Sequence, residues 1–316
     1  MKPIVGITMG DAAGIGPEII VKALSIRDVY ENCCPVVIGD STIMEQAVKA
    51  VGAGLSVNSI SDVKEAKFEL GVMDVFDLSN IDFKVLKVGH VDAMAGKAAV
   101  EYIIKAVFLA LRNDIHAIAT APISKEAINM AGYEYAGHTE LLAHLTDTKD
   151  YAMMLIVGSL RVVHVTTHMS LRKACDMIKK ERVLKAIQLT HRTLRDMEIV
   201  NPRIAVASLN PHGGEGGLFG VEETEEIKPA IEEAKKESIN VFGPLSSDIV
   251  FVRARGGAFD AVVAMYHDQG HIPIKLLGLK WDESQGTWDS VSGINVTIGL
   301  PIIRSSVDHG TAFGKA

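Results

Sequence analysis

The sequence predicts an α/β protein in which helices cover mainly parallel β-sheets. Short apolar runs of strand length stop abruptly in glycine or polar residues, as at residues 3–9, 115–120 and 261–265. Helical runs with an apolar face alternate with them, for example at residues 92–112. This alternation is typical of parallel strands joined by crossover helices. With 316 residues, of which 48% are hydrophobic, the chain can bury enough apolar surface for two lobes.

Charge and composition exclude several classes of function. The net charge of -7 and the pI of about 5.9 give no support to nucleic-acid binding. No apolar run reaches the roughly 18 residues of a membrane span, and residues 1–3 lead into the first strand without a signal peptide. Cys33, Cys34 and Cys175 form no CxxC pair, which favours a reducing compartment. We therefore expect a cytoplasmic protein without nucleic-acid or membrane partners.

The first half of the chain alternates strands with helices. The strand at 3–9 runs into a glycine-rich loop at 10–18, which is either an anion-binding loop before a helix or a tight turn. His138 or Thr139 is a candidate cap for a short helix at 141–145. Apolar and polar residues alternate only weakly over residues 58–86, and this segment predicts no definite element. The other elements predicted here are a helix at 19–24, a strand at 36–39, a helix from about 42, a helix at 92–112 and a strand at 115–120.

The second half begins with a hairpin whose strands, 151–157 and 160–167, meet at Gly158-Ser159. Gly270 and Pro273 argue against a helix after the strand at 261–265. Residues 276–292 resemble an excursion more than a regular element. The other elements predicted here are helices at 181–197 and 222–236 and strands at 203–209 and 295–300.

Three strand ends offer one histidine each: His168, His212 and His267. Imidazole suits zinc and other divalent transition metals, and three protein ligands leave positions open for a substrate. On an extended strand His164 and His168 would lie about 13 Å apart, so both could not bind one ion. We therefore expect His164 to be a structural histidine with satisfied hydrogen bonds. His212 lies in the glycine-rich loop 210–217, where packing does not explain a histidine.

The C-terminal part adds candidates for binding an anion. Arg304 could grip a phosphate or carboxylate with both guanidinium arms, or it could be an ordinary exposed arginine. The turn at residues 309–312 could wrap a ligand. Asp268 could orient its neighbour His267 or add charge beside it.

Seven motifs together resemble the 4-hydroxythreonine-4-phosphate dehydrogenase family. They occur in the order of the family and span nearly the whole chain. Two regions, YHDQGHIPIK (266–275) and residues 152–172, resemble more closely the branch that acts on D-erythronate or D-threonate 4-phosphate. The motifs are MGDAAGIGPE (9–18), APISKEAI (121–128), GHTE (137–140), TTHMSLR (166–172), LNPHGGEGG (209–217), YHDQG (266–270) and GLPIIRSSVDHGTA (299–312).

The resemblance implies an isocitrate/isopropylmalate dehydrogenase-like fold of two α/β lobes with a cleft between them. It places a discontinuous cofactor-binding lobe at residues 1–115 plus 245–316, and a substrate, metal and dimerisation lobe at 116–244. It also implies a homodimer whose site lies near the interface, and chemistry like that of pyridoxine biosynthesis.

The resemblance also implies roles for individual residues. The family's metal histidines fall on His168, His212 and His267, the three chosen above, and the ion would be Zn, Mg, Mn or Co. Its substrate-binding positions fall on His138, Thr139, Lys275, Asn295 and Arg304. Lys275, Asp248 and Asp268 are candidates for proton transfer, and His309, Gly310, Thr311 and Ala312 for holding NAD.

The implied reaction is the NAD- and metal-dependent oxidation, with decarboxylation, of a 4-phosphorylated hydroxy acid. The candidate substrates are D-threonate, D-erythronate and 4-hydroxythreonine 4-phosphate. A phosphate acyltransferase on a similar fold and a catalytically impaired binding homologue are the alternatives. The sequence departs from the family pattern in two places. The segment 276–294 is longer than in the family, and the chain reads Phe313-Gly314-Lys315-Ala316 after HGTA. We expect the first to affect substrate choice and the second to weaken cofactor binding.

Overall fold

The computed structural model describes residues 2–135, 137–284, 286–307 and 310–316, and only the backbone of residues 287–291. The chain forms two compact units. Unit 1 comprises Met1–Lys149 and Leu300–Ala316, and unit 2 comprises Asp150–Gly299. Unit 1 is discontinuous, with boundaries at 149/150 and 299/300. The cofactor-binding lobe at 1–115 plus 245–316 and the substrate lobe at 116–244 stay predictions.

Unit 1 is built on six parallel strands in the order β3-β4-β2-β1-β5-β14, so its part of the predicted fold class is confirmed. Its elements are β1 (Ile4–Thr8), α1 (Gly16–Leu24), α2 (Arg27–Asn32), β2 (Cys34–Gly39), α3 (Ser41–Val51), β3 (Ser56–Ile60), β4 (Val72–Asp77), α4 (Ala93–Leu111), β5 (Ala117–Thr120), α5 (Lys125–Met130), α6 (His138–Leu145) and β14 (Arg304–Ser306).

Helix α4 packs in the middle of unit 1. Asp92 caps it by accepting the N–H groups of Met94 and Ala95, as its sequence position favours. Gly96 lets α4 approach α5 closely, because a Cβ at this position would lie 2.2 Å from the Ala127 carbonyl oxygen. Tyr102 is fully buried in the same core. None of the helices in the described part of the chain has both the length and the apolar character of a membrane span.

Unit 2 contains six further strands in the order β13-β6-β7-β10-β8-β9. Neighbouring strands among β7, β10, β8 and β9 pair in parallel, whereas β6 pairs antiparallel with both β13 and β7. Its elements are β6 (Ala152–Val157), β7 (Leu160–His164), α7 (Leu171–Asp176), α8 (Lys180–Asp196), β8 (Ile204–Ala207), α9 (Lys228–Lys236), β9 (Val241–Leu245), α10 (Ser247–Arg255), β10 (Ala261–Ala264), α11 (His267–Gly278), β11 (Leu279–Asp282), β12 (Thr287–Val291) and β13 (Ile294–Ile298).

Strand β10 is buried on both faces, which explains why its sequence is continuously apolar. Val262 packs with Val250 and Ile274 on one side of the sheet. Val263 packs with Val183 and Ile187 on the other side. Successive side chains of a strand point to opposite faces, and a central parallel strand therefore needs apolar residues at every position.

Two local expectations are wrong, and one segment without a predicted element is regular. Residues 58–86 contain most of β3 and all of β4, a parallel pair that weak alternation concealed. Residues 276–292 are not an irregular excursion, because they contain the end of α11 and the antiparallel hairpin of β11 and β12. Helix α6 has Gly137 at its N-cap and no side-chain cap, so neither His138 nor Thr139 caps it: both lie inside its first turn.

Candidate functional site

Three neighbouring parallel strands of unit 2 lead to the three histidines singled out in the sequence. The strands are β7, β10 and β8, adjacent in that order. His168 follows the end of β7, His267 follows β10 and His212 follows β8. The carboxyl ends of parallel strands meet at one edge of a sheet, which is where α/β proteins bind ligands.

The segment after β10 is a helix, so the expectation against a helix there is wrong. Helix α11 begins at His267 and contains both Gly270 and Pro273. Gly270 is required by packing, since a Cβ on it would lie 2.3 Å from Nε2 of His164 on β7. The helix places His267, His271 and Lys275 four residues apart, hence on one face.

A cluster of four imidazoles results, of which the sequence predicted only two members. His267 and His271 stack with ring centres 3.6 Å apart and an interplanar angle of 13°. His168 lies 5.6 Å from His267, and His164 lies 4.7 Å from His271. Strand β7 ends at His164 rather than at 167, so His164 and His168 both approach His267. The repeat of His267 and His271 was the signal that could have revealed this cluster.

His164 is buried, but its hydrogen bonds are not satisfied as expected. It is 3% exposed, and neither ring nitrogen has a well-formed hydrogen bond with any described group. Burial and, to a smaller extent, the neighbouring His271 lower the pKa of His164 to about 3, while the Met153 backbone acts in the opposite direction. His164 is therefore the buried, neutral imidazole of the cluster.

The donor chemistry of His168 and His267 fits a divalent metal. Two imidazoles that bind one tetrahedral ion through nitrogens about 2.1 Å from it have ring centres roughly 5 Å apart, close to the 5.6 Å between these two. Nδ1 of His267 lies 2.7 Å from Oδ1 of Asp268, the carboxylate contact that commonly orients a metal-binding histidine. The rings of His267 and His271 are nearly parallel, so their in-plane nitrogens do not converge on one ion.

His212 is not part of the imidazole cluster. It is exposed and adopts left-handed backbone angles (φ 54°, ψ 26°) within the 3₁₀ segment Pro211–Gly217. The buried carboxylate of Glu223 accepts hydrogen bonds from the backbone N–H groups of Leu209 and Asn210 and thus anchors the start of this loop. Among the described residues, no three or more histidine, cysteine, aspartate or glutamate side chains are arranged as a complete metal site.

Lys275, Asn295 and Asp248 also lie in unit 2. Lys275 is partly buried on α11. Asn295 lies on β13 opposite Leu155, and its Oδ1 is buried with no hydrogen-bond donor among the described groups. Asp248 is exposed in the first turn of α10.

Unit 1 brings His138 and Arg304 together. Arg304 is 2% exposed on β14, where it donates to Oγ1 of Thr120 at 2.6 Å, so it is not the exposed arginine considered as the alternative. Burial lowers the pKa of Arg304 to about 10. Burial also lowers the pKa of His138 well below its ordinary value, and the nearby Arg304 charge adds to this effect. A buried cation beside a neutral imidazole is suited to binding an anion. Thr139 follows His138 in the first turn of α6.

The turn expected to hold the cofactor packs on the glycine-rich loop of unit 1. The carbonyl oxygen of Thr311 accepts the N–H of Ile15 at 3.1 Å, and Gly14 leaves room for this contact. Gly310 and Ala312 flank Thr311, whereas His309 lies outside the described residues. The N–H groups of Asp11, Ala13 and Gly14 are also bonded within the chain, which favours the tight-turn interpretation of this loop.

Comparison with known proteins gives consistent matches over the whole chain. Residues 31–316 match the family described as pyridoxal phosphate biosynthetic protein PdxA. A D-threonate 4-phosphate dehydrogenase of Cupriavidus necator is 48% identical over 315 residues, which are 99% of this chain and 91% of the relative. A protein of Oceanobacillus iheyensis that carries the same name provisionally is 52% identical over 317 residues, covering 100% of this chain and 92% of its own.

A solved structure from Burkholderia phymatum, described as a 4-hydroxythreonine-4-phosphate dehydrogenase, has the same fold. It superposes with a TM-score of 0.88 at 47% identity and covers 100% of this chain and 92% of its own.

Proposed function

The chain belongs to the PdxA family, and from this membership we propose that it is a dehydrogenase that oxidises a 4-phosphorylated hydroxy acid with NAD. The relatives that share about half of its sequence are named D-threonate 4-phosphate dehydrogenases, so this is the substrate that we propose first. The observation that carries the proposal is the pairing of His168 with His267, which come from the family motifs TTHMSLR and YHDQG.

We propose that His168, His212 and His267 hold a divalent metal ion in unit 2. Asp268 would orient His267 through its contact with Nδ1. When bound, the ion supplies Lewis acidity, which lowers the pKa of the substrate hydroxyl and stabilises negative charge on its oxygen. His271, stacked on His267, restricts the rotation of that ring.

Anion recognition is the second contribution. Arg304, with His138 and Thr139, would bind the phosphate or the carboxylate of the substrate in unit 1. The buried guanidinium offers several N–H donors, and neutral His138 can donate one more without adding charge. Lys275 and Asn295, which lie in unit 2, stay predicted as substrate-binding residues from the motifs alone.

The proposed reaction needs one base and one acid besides the cofactor. The substrate hydroxyl on the third carbon loses its proton to a base, Asp248 or Asp268, and the hydrogen on that carbon leaves as hydride to the nicotinamide. The ketone that forms lies β to the carboxylate, so the bond to the carboxylate breaks and carbon dioxide leaves. Lys275 is placed on the His267 face of α11 and would donate a proton to the carbon from which the carbon dioxide left.

Cofactor binding and assembly complete the proposal. Gly310, Thr311 and Ala312 would contact the NAD. The chain would form a homodimer, because α11 exposes Ile272 and Leu276, two large apolar side chains on one face that a partner subunit would cover. The three cysteines are free, in keeping with a cytoplasmic location.

The test is NADH formation by the purified protein, with and without a chelator, on D-threonate, D-erythronate and 4-hydroxythreonine 4-phosphates. We expect chelator-sensitive NADH with D-threonate 4-phosphate as the best substrate. Replacing His212 by Ala should abolish this turnover. A folded, metal-loaded dimer that produces no NADH from any of the three would refute the dehydrogenase and favour an impaired homologue. Acyl transfer to phosphate without NADH would favour the acyltransferase.

A further inference from the structure

Gln269 is a buried polar residue with no role in the reaction proposed above. It lies on α11, two residues after His267, and is 8% exposed. Its Nε2 donates to the carbonyl oxygen of Ser208 at 2.7 Å and to Oγ of Ser247 at 2.9 Å. Its Oε1 accepts the N–H of Met265 at 2.5 Å. The carboxamide therefore uses both of its N–H groups and its oxygen.

These three contacts join three different elements of unit 2. Met265 follows the end of β10, which leads to His267, and Ser208 follows β8, which leads to the His212 loop. Ser247 begins α10, beside Asp248. Ser247 also donates to the Ser208 carbonyl at 2.8 Å, so the three elements share one hydrogen-bonded group.

The network continues from Ser208 to the start of the histidine loop. The Ser208 Oγ donates to the carbonyl oxygen of Asn210 at 3.0 Å, and the Glu223 carboxylate accepts the N–H of Asn210 at 2.7 Å. The loop beyond Asn210 is exposed and rich in left-handed glycines, so its position depends on how its base is held.

We propose that Gln269 is a positioning residue that sets the His267 helix relative to the His212 loop and the Asp248 helix. Ligands that follow different strands can bind one ion only if the strand ends are held in a fixed arrangement. A buried carboxamide that bridges β8, β10 and α10 does this by hydrogen bonds without adding charge. The inference rests on the proposed metal site and adds a residue that does not touch the ion.

The test compares Co²⁺ affinity, thermal unfolding and amide hydrogen exchange in variants of the full-length protein. Gln269→Glu keeps the shape of the side chain and its acceptor but removes both N–H donors beside the Ser208 carbonyl. Thr190→Val is the matched control, because the buried Thr190 hydroxyl donates only to Ala186 of its own helix. Ser247→Ala removes one acceptor of Gln269 and the hydrogen bond from Ser247 to the Ser208 carbonyl, and it is the second variant if Gln269→Glu does not fold.

We expect Gln269→Glu to bind Co²⁺ at least about tenfold more weakly, with faster exchange confined to the segments at 208–217 and 247–249. Thr190→Val should unfold at a lower temperature with unchanged Co²⁺ affinity. Ser247→Ala should weaken Co²⁺ binding severalfold.

The inference is overturned if Gln269→Glu binds Co²⁺ with native affinity while His267→Ala loses Co²⁺ binding. If Gln269→Glu does not fold, the same result for Ser247→Ala overturns it. Native affinity in His267→Ala, or no Co²⁺ binding by the native protein, would overturn the metal site and this inference with it.

Discussion

Replacing Gly270 by Ala would place a methyl group where α11 crosses β7. Its Cβ would lie 2.3 Å from Nε2 of His164 and 2.8 Å from Cγ1 of Val162. Ordinary contacts between such atoms are about 3.5 Å, so the imidazole and the helix would have to separate by roughly 1 Å. His164 is itself buried on β7, only 3% exposed.

Two opposing contributions determine how much Gly270→Ala changes the free energy of unfolding. Alanine in a helix gains about 1 kcal/mol over glycine from backbone entropy and propensity. Overpacking a well-packed core costs about 1–3 kcal/mol, and two short contacts put Gly270→Ala at the upper end. The net loss is about 2 kcal/mol, which lowers the melting temperature of a unit of this size by roughly 4–8 °C. Because α11 carries His267, Co²⁺ affinity should also fall about tenfold.

Thermal unfolding tests the expected loss of stability, and a Co²⁺ titration tests the expected loss of metal affinity. Gly54→Ala is the control, since no atom lies within 4 Å of its added Cβ, and it should change stability by less than about 0.5 kcal/mol. In a double-mutant cycle, His164→Ala should reduce the cost of Gly270→Ala by removing the nearer contact. A Gly270→Ala variant that melts at the native temperature or higher and binds Co²⁺ normally would refute the close packing.

Three further predictions concern other charged groups. Burial raises the pKa of Asp11 from 3.8 to about 6, so the folded state holds its proton more tightly and stability falls by up to about 3 kcal/mol as the pH rises from below 4 to above 6. Asp11→Asn should remove this part of the pH dependence in urea unfolding at pH 4 and 7.5, and an unchanged slope would contradict the assignment. Arg304→Lys should raise KM for the phosphorylated substrate at least about tenfold, because an ammonium lacks the planar array of donors; an unchanged KM would exclude Arg304 from the anion site. Asp268→Ala should weaken Co²⁺ binding about 10- to 100-fold by releasing the His267 ring, and native affinity would show that the contact does not orient it.

Strand ends were predictable because a strand buried on both faces needs an uninterrupted apolar run. The runs before His212 and His267 correspond to β8 and β10, and the hairpin at Gly158-Ser159 is confirmed. The weakly alternating β3 and β4 were not predictable in this way. Most side chains of β3 are exposed or half-buried, and on β4 the buried polar Asp74 interrupts the apolar pair Met73 and Val75. Asp74 accepts hydrogen bonds from the side chain of Asn58 and the backbone N–H of Phe68.

Helix α11 shows where local propensity misleads. Gly270 and Pro273 each disfavour a helix interior, yet the helix forms because its apolar side packs on the sheet, with Ile274 only 2% exposed. Glycine at 270 is a requirement of that packing rather than a signal to end the helix. Excluding the helix also concealed the stacking of His271 on His267.

Tertiary contacts account for what else the sequence could not reveal. Whether His164 and His168 approach the same ring depends on where β7 ends, and the apolar run itself does not mark that point. The Gln269 contacts join residues 22 and 61 positions apart, and no spacing rule predicts such pairs. His212 remains predicted as a ligand from its motif alone.

The most direct test of the account measures NADH and carbon dioxide together in one reaction. The purified protein would be supplied with a divalent metal, NAD and D-threonate 4-phosphate. We expect the two products in equal amounts, both lost when a chelator is added. NADH without carbon dioxide would contradict the decarboxylation, and carbon dioxide without NADH would contradict the hydride transfer on which the assignment as a dehydrogenase rests.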